Sequence, residues 1–96
     1  MAYSFRIDIL TPEETYFSGE VISIIVPGAA GWLGVLINHA PLMTPLTKGR
    51  LELLMSDHSK KFFSIEGGFF EIFYNQATVL VEKISQIEIP PEEMRR

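Results

Sequence analysis

The side chains able to do chemistry are few in this chain, and their spacing suits none of the usual tasks. His39 and His58 are its only imidazoles. His58 stands between Asp57 and Ser59, which together supply the residue types of a nucleophile, a base and an orienter. Three consecutive residues at a turn tip cannot converge on one reacting atom, so the trio reads as a polar turn. Glu66, Glu71 and Glu82 fall on or beside otherwise apolar segments and read as outward-facing strand residues rather than an acid/base pair. With no cysteine and two isolated histidines there is no metal-ligand spacing. The run Gly28, Ala29, Ala30, Gly31, Trp32, Leu33, Gly34 is glycine-rich, but its spacing is not GxGxxG. No GK[ST] follows, and no helix N-terminus stands behind it to hold a phosphate. These residues therefore outline no active site, metal centre or cofactor.

The informative stretch is 27–46, PGAAGWLGVLINHAPLMTPL, which holds three glycines, three prolines and the only tryptophan. Glycines every third residue suit a chain that must reverse and bulge. Asn38 tolerates positive φ, and Pro41 pushes Ala40 toward extended geometry, which makes a second corner. Two corners so close together describe the elaborated rim of a β-domain. Trp32 is either tucked onto the end of that domain or displayed to a partner. His39 either bonds backbone at its corner or meets a partner. Rims carry function and interfaces enrich tryptophan.

The elements that position this rim read as short strands. Tyr3, Phe5, Ile7 and Ile9 alternate with Ser4, Arg6 and Asp8 at period two, a strand with one wet face. Residues 11–14 hold a possible capping box but no helical periodicity follows, so a single connecting turn is expected. Residues 21–26, VISIIV, are apolar enough to predict a strand covered on both faces. Strands are expected over 34–37 and 42–46, the latter at an edge because of Pro45. Lys48 and Gly49 predict a turn into a strand over 51–55, and residues 56–59 a hairpin into 62–65. Gly67 and Gly68 predict a bulge or corner where one long strand changes sheets. Asn75 and Gln76 predict the turn joining strands 69–74 and 78–82. The sum is an all-β chain, a flattened antiparallel β-sandwich or barrel of about eight to ten short strands with a short C-terminal tail. In that tail, residues 90–96 place proline and acid before base, the pattern of a helix start.

Composition bounds the partners. Ninety-six residues make one domain, and an apolar share of 47% excludes disorder. A net charge of −4 with scattered Lys and Arg gives no nucleic-acid footprint. No apolar run approaches the ~20 residues that cross a bilayer, so no direct membrane insertion is expected.

Taken together, Phe17-Ser18-Gly19-Glu20-Val21, Val26-Pro27-Gly28, Gly34-Val35-Leu36, Asn38-His39-Ala40-Pro41-Leu42, Gly67-Gly68-Phe69-Phe70-Glu71 and Thr78-Val79-Leu80 resemble the epsilon subunit of F-type ATP synthase, called delta in mitochondria. The resemblance runs in register from about Tyr3 to Glu82. It implies a non-catalytic domain over 1–89 that links the gamma subunit to the c-ring and transmits rotation during proton- or sodium-driven ATP synthesis. It implies c-ring contact through Ala29, Ala30, Gly31 and Trp32, and gamma contact through Thr11, His39 and Thr44. Two departures stand out. Trp32 replaces an acid that many members carry, and Asn38 stands at a position that needs positive φ. Members with a two-helix arm bind ATP there, whereas residues 90–96 lack that arm's signature, so no ATP binding and no helix-based inhibition are expected. Such an arm is either naturally absent or cut away. The expected location is peripheral, on the cytoplasmic face of a bacterial inner membrane, with a plastid thylakoid as the second option. The competing readings are a stand-alone β-sandwich that binds a ligand or protein, and an enzyme using Asp57 and His58.

Overall fold

The computed structural model describes residues 3–88, and no helix forms among them. Seven strands follow in chain order: β1 (Phe5–Leu10), β2 (Thr15–Gly28), β3 (Gly31–Leu36), β4 (Leu42–Met55), β5 (Lys60–Phe73), β6 (Gln76–Leu80) and β7 (Ile84–Ile87). Neighbours run β1-β6-β5-β4-β2, and β2 pairs back onto β1, so the sheet closes on itself. β3 extends from β2 and β7 from β5. Every pairing is antiparallel except β1 with β6, where β1 enters between two strands to close the ring. The helix start expected over 90–96 lies outside the described residues.

The fold class is the expected one, but the strands are fewer and longer. β2, β4 and β5 each run 14 residues and spend one half in each layer of the flattened barrel. Lys48 and Gly49 do not turn the chain. They stay in register with Glu66 and Ile65, and the β4–β5 ladder lapses only at Thr47 and Gly67, where both strands bend between layers. Gly49 serves close approach instead: a Cβ there would lie 2.9 Å from Pro27 Cβ. The corner expected at Gly67 and Gly68 is present, with φ of 111° and 140°, a region essentially restricted to glycine.

The stretch 21–26 is also not covered on both faces. Val21, Ile24 and Val26 are buried while Ile25 is 37% exposed. A register shift between Val21 and Ser23 places buried residues three apart, which disguises the alternation. The β5–β6 turn falls one residue early, on Tyr74 and Asn75 at φ 49° and 63°, the two left-handed positions that suit a tight hairpin. β7 carries no strong alternation and is not legible in the sequence. Pro45 behaves as an edge residue should. Its carbonyl accepts from Ala29 N–H at 3.0 Å, so its missing N–H faces away from β5 and no ladder bond is lost.

The interior is wholly apolar among the described residues, with Phe63 and Phe70 its largest fully buried side chains. Outside it, Asp8 ties three strands together. Its carboxylate accepts from Ser18 Oγ of β2 at 2.5 Å, from Gln76 Nε2 of β6 at 2.8 Å and from Arg6 at 3.2 Å. The Ser18 hydroxyl first, then Arg6, hold its carboxyl below the ordinary 3.8 against a small opposing effect of burial. A folded value below the unfolded one gives stability that is complete above the unfolded pKa and lost as pH falls through the folded one. Asp8→Asn is expected to lower stability at pH 7 by about 0.5–1 kcal/mol, the range for a solvent-screened network. Urea unfolding at pH 7 and pH 3 checks this, since the difference from wild type should shrink at the lower pH.

Candidate functional site

Two surfaces stand out on this barrel. The first is the tip of the β2–β3 hairpin, where Ala29 and Ala30 form the turn and Gly31 takes φ 125°. All three residues are exposed, and Trp32, paired with Pro27 across the hairpin, is 63% exposed. Alternation along β3 sends Val35 into the core and leaves Trp32, Gly34 and Leu36 on the outer side. Trp32 is therefore displayed rather than tucked in.

The second surface is the outer side of the layer formed by β1, β6, the end of β5 and the start of β4. Phe70, Ile72, Val79 and Ile9 point inward from these strands and are buried. Their neighbours point out: Met43 is 66% exposed, Phe69 52%, Phe73 53% and Leu80 49%. The registers Phe69 with Leu80 and Leu80 with Leu10 run this apolar strip across the layer. At one end lies a cleft of about 600 Å³ lined by Leu10, Thr11, Gly68, Phe69, Leu80 and Glu82, among others. At the other end lies the His39 corner.

Thr11 sits in the turn after β1, where its N–H and its hydroxyl both donate to the Glu14 carbonyl at 2.9 and 3.2 Å. A capping-box hydroxyl would accept instead, so this is a connecting turn. Thr11 thus lines the cleft. His39 is partly buried, and its Nδ1–H donates to the Ala40 carbonyl at 2.7 Å. That fixes the ring and turns Nε2 into the atom able to meet a partner. Thr44 is placed differently from the other two: its hydroxyl lies 3.9 Å from where a Gly28 Cβ would be, beside the hairpin. The exposed residues on either side of it in its strand are Met43 and Pro45, while Thr44 itself is partly buried. The barrel therefore groups Thr44 with Ala29 to Trp32, and sets Thr11 and His39 at opposite ends of β1, ~17–20 Å apart by strand rise. Met43, Phe69, Phe73 and Leu80 are the residues that the sequence reading missed. Their signal was the period-two offset from buried neighbours, hidden by the apolar character of both faces.

Among the described residues, the reactive groups singled out in the sequence do not converge. Asp57 accepts from Ser59 N–H at 2.9 Å and from its hydroxyl at 2.6 Å, not from His58. Glu66, Glu71 and Glu82 are exposed and face outward. Among the described residues no group of three or more His, Cys, Asp or Glu is placed to hold a metal, and no helix is long and apolar enough to cross a membrane.

A closed, flattened β-barrel that displays an exposed hairpin tip and an exposed apolar strip defines a small β-sandwich domain. Over residues 4–87 the chain matches the family described as ATP synthase, Delta/Epsilon chain, beta-sandwich domain, and it belongs to that family. It is similar to the ATP synthase epsilon chain of Chlorobium limicola, 46% identical over 82 residues that cover 85% of this chain and 93% of that one. The ATP synthase epsilon chain of Desulforamulus reducens is 40% identical over 94 residues, covering 93% of this chain and 69% of the relative. Among solved structures, a chain of the Euglena gracilis mitochondrial ATP synthase OSCP/F1/c-ring assembly superimposes with a TM-score of 0.84 at 20% identity, over 99% of this chain and 61% of that one. At that identity the superposition speaks for the fold, and the chain spans about three fifths of that neighbour.

Proposed function

We propose that this domain is the epsilon element of the central stalk in a rotary F-type ATP synthase, joining the gamma subunit to the c-ring and passing rotation between them. Its place is peripheral, on the cytoplasmic face of a bacterial inner membrane, held there by its partners. The observation that carries this reading is the pair of separate exposed surfaces on one closed barrel. A body that couples two partners needs two contact surfaces and little internal twist between them. Sheet closure supplies the stiffness, because β2 pairs back onto β1 and so ties the strands into one ring.

The apolar strip from the Thr11 cleft to the His39 corner is the gamma-facing surface. Interfaces centre on buried apolar anchors with polar residues at the rim, and Met43, Phe69 and Phe73 provide such anchors. The tip formed by Ala29, Ala30, Gly31 and Trp32 meets the c-ring, with Thr44 supporting the hairpin from behind. Trp32 offers an aromatic face to an arginine on a c-ring loop. Trp32→Ala is expected to weaken c-ring attachment by ~0.5–2 kcal/mol and to remove part of its salt sensitivity. Co-sedimentation of reconstituted complexes over a salt series tests this. Undiminished attachment with the wild-type salt response would remove Trp32 from the contact. Co-purification of the wild-type chain with gamma tests the reading as a whole.

A further inference from the structure

Two left-handed residues face each other at the His39 end of the barrel. Asn38, at φ 65°, opens the β3–β4 connection, and Asn75, at φ 63°, closes the β5–β6 turn. They are 37 residues apart in sequence and bond reciprocally. Asn38 N–H donates to Asn75 Oδ1 at 2.7 Å, and Asn75 Nδ2 donates to Asn38 Oδ1 at 3.1 Å. Glycine would satisfy φ at either position. Glycine carries none of the side-chain atoms that close this pair. The backbone carbonyl of Asn75 also accepts from Arg6 N–H at 3.1 Å, which roots the turn on β1.

The residues held by the pair are those with something to offer a partner. His39 follows Asn38 directly. Tyr74, which precedes Asn75, is 79% exposed and stacks edge-on against Phe73 with ring centroids 4.5 Å apart. Both asparagines lie at the surface, where hydrogen bonds add little to folding stability because water replaces them at small cost. Their effect falls instead on loop freedom. A loop ordered before binding does not have to be ordered by it.

We propose that Asn38 and Asn75 are positioning residues. They clasp the His39 corner and the Phe73-Tyr74 tip into one preformed contact, with Tyr74 as an aromatic anchor for the gamma subunit. This rests on the functional reading above for the identity of the partner, while the clasp itself rests on the two bonds.

The test uses the full chain with purified gamma subunit and three variants: Asn75→Gly, Asn38→Gly and Asn75→Asp. Both glycine variants keep the backbone conformation, but Asn75→Gly loses both bonds, whereas Asn38→Gly keeps the backbone N–H bond to Asn75 Oδ1 and loses only the side-chain bond. Asn75→Asp can rebuild the clasp, because the Asn38 amide can turn over and donate to the carboxylate. Asn75→Gly should weaken gamma binding about tenfold, Asn38→Gly about threefold, the double variant no further than Asn75→Gly, and Asn75→Asp only about twofold. Melting temperatures should move little. In the free chain the Asn38 amide should exchange slowly in wild type and Asn75→Asp, and quickly in Asn75→Gly. Wild-type gamma affinity in Asn75→Gly, additive losses in the double variant, or equal amide exchange in wild type and Asn75→Gly would each overturn the clasp. A wild-type chain that does not bind gamma would overturn the functional reading, and with it the partner assigned to Tyr74.

Discussion

Replacing Gly68 with alanine is expected to destabilise the barrel by more than about 4 kcal/mol, the range reserved for backbone and core disruption. A Cβ at Gly68 would stand 2.2 Å from the Leu80 carbonyl oxygen, 2.8 Å from Val81 Cγ1 and 3.2 Å from the Leu80 carbonyl carbon. Two of those three atoms are backbone and cannot rotate away. The φ of 140° adds strain independently of the contact. Relief requires β5 to move off β6 at the point where the long strand turns between layers, which opens the ring. Two neighbouring substitutions calibrate the effect. At Gly67 the nearest atom to a Cβ is the Leu46 carbonyl at 3.5 Å, so alanine meets only the strain of φ 111°, about 1–3 kcal/mol. At Gly34 a Cβ would meet nothing within 4 Å, and alanine should be close to neutral. Urea unfolding of the three variants should rank them Gly68, Gly67, Gly34. A Gly68→Ala chain as stable as Gly34→Ala would show that the two layers are not joined as described.

The second large effect concerns binding. The double variant Met43→Lys with Phe69→Lys is expected to lower gamma affinity by at least about a hundredfold, roughly 3 kcal/mol, with little change in folding stability. Both side chains are more than half exposed, so lysine can hold its ammonium in water while its stem covers the sheet. At position 43 the cross-strand partner is Glu71, which favours a cation in the free chain. Docked against gamma, the same two charges would lose their water without a designed counterion, and that cost is the source of the loss. Titration of labelled gamma with wild-type and variant chains, alongside urea unfolding, separates the two effects. Unchanged affinity would mean that gamma sits elsewhere.

The parts of the fold that were legible from sequence are those governed by one residue's conformational preference. Gly31, Asn38 and Gly68 each marked a place where only a few residue types can go, and each corner is present. The alternation of β1 was equally plain, because one face is wet. What was illegible depends on pairing at a distance. Lys48 and Gly49 look like a turn to any local rule, and only Pro27, more than twenty residues away, explains the glycine. VISIIV reads as doubly covered until the register shift against β4 is known. The hairpin tip and the His39 corner could be proposed as contact residues from the resemblance alone. The apolar strip between the corner and the cleft could not, because Phe69 and Phe70 are the same residue type and only the fold decides which is the exposed one. The Asn38–Asn75 pair was hidden for a related reason: each asparagine is fully accounted for by its own φ, and nothing local announces a partner.

Because the chain contains no cysteine, a single thiol can be placed at either surface without competition. Ala30→Cys and Met43→Cys, each carrying a short photo-crosslinker, would be assembled into the intact ATP synthase and the linked partner identified. The thiol at the hairpin tip should capture a c-ring subunit and the thiol on the apolar strip should capture gamma, each without the other. Capture of one and the same partner from both positions, or of neither, would contradict a two-sided coupling between shaft and ring.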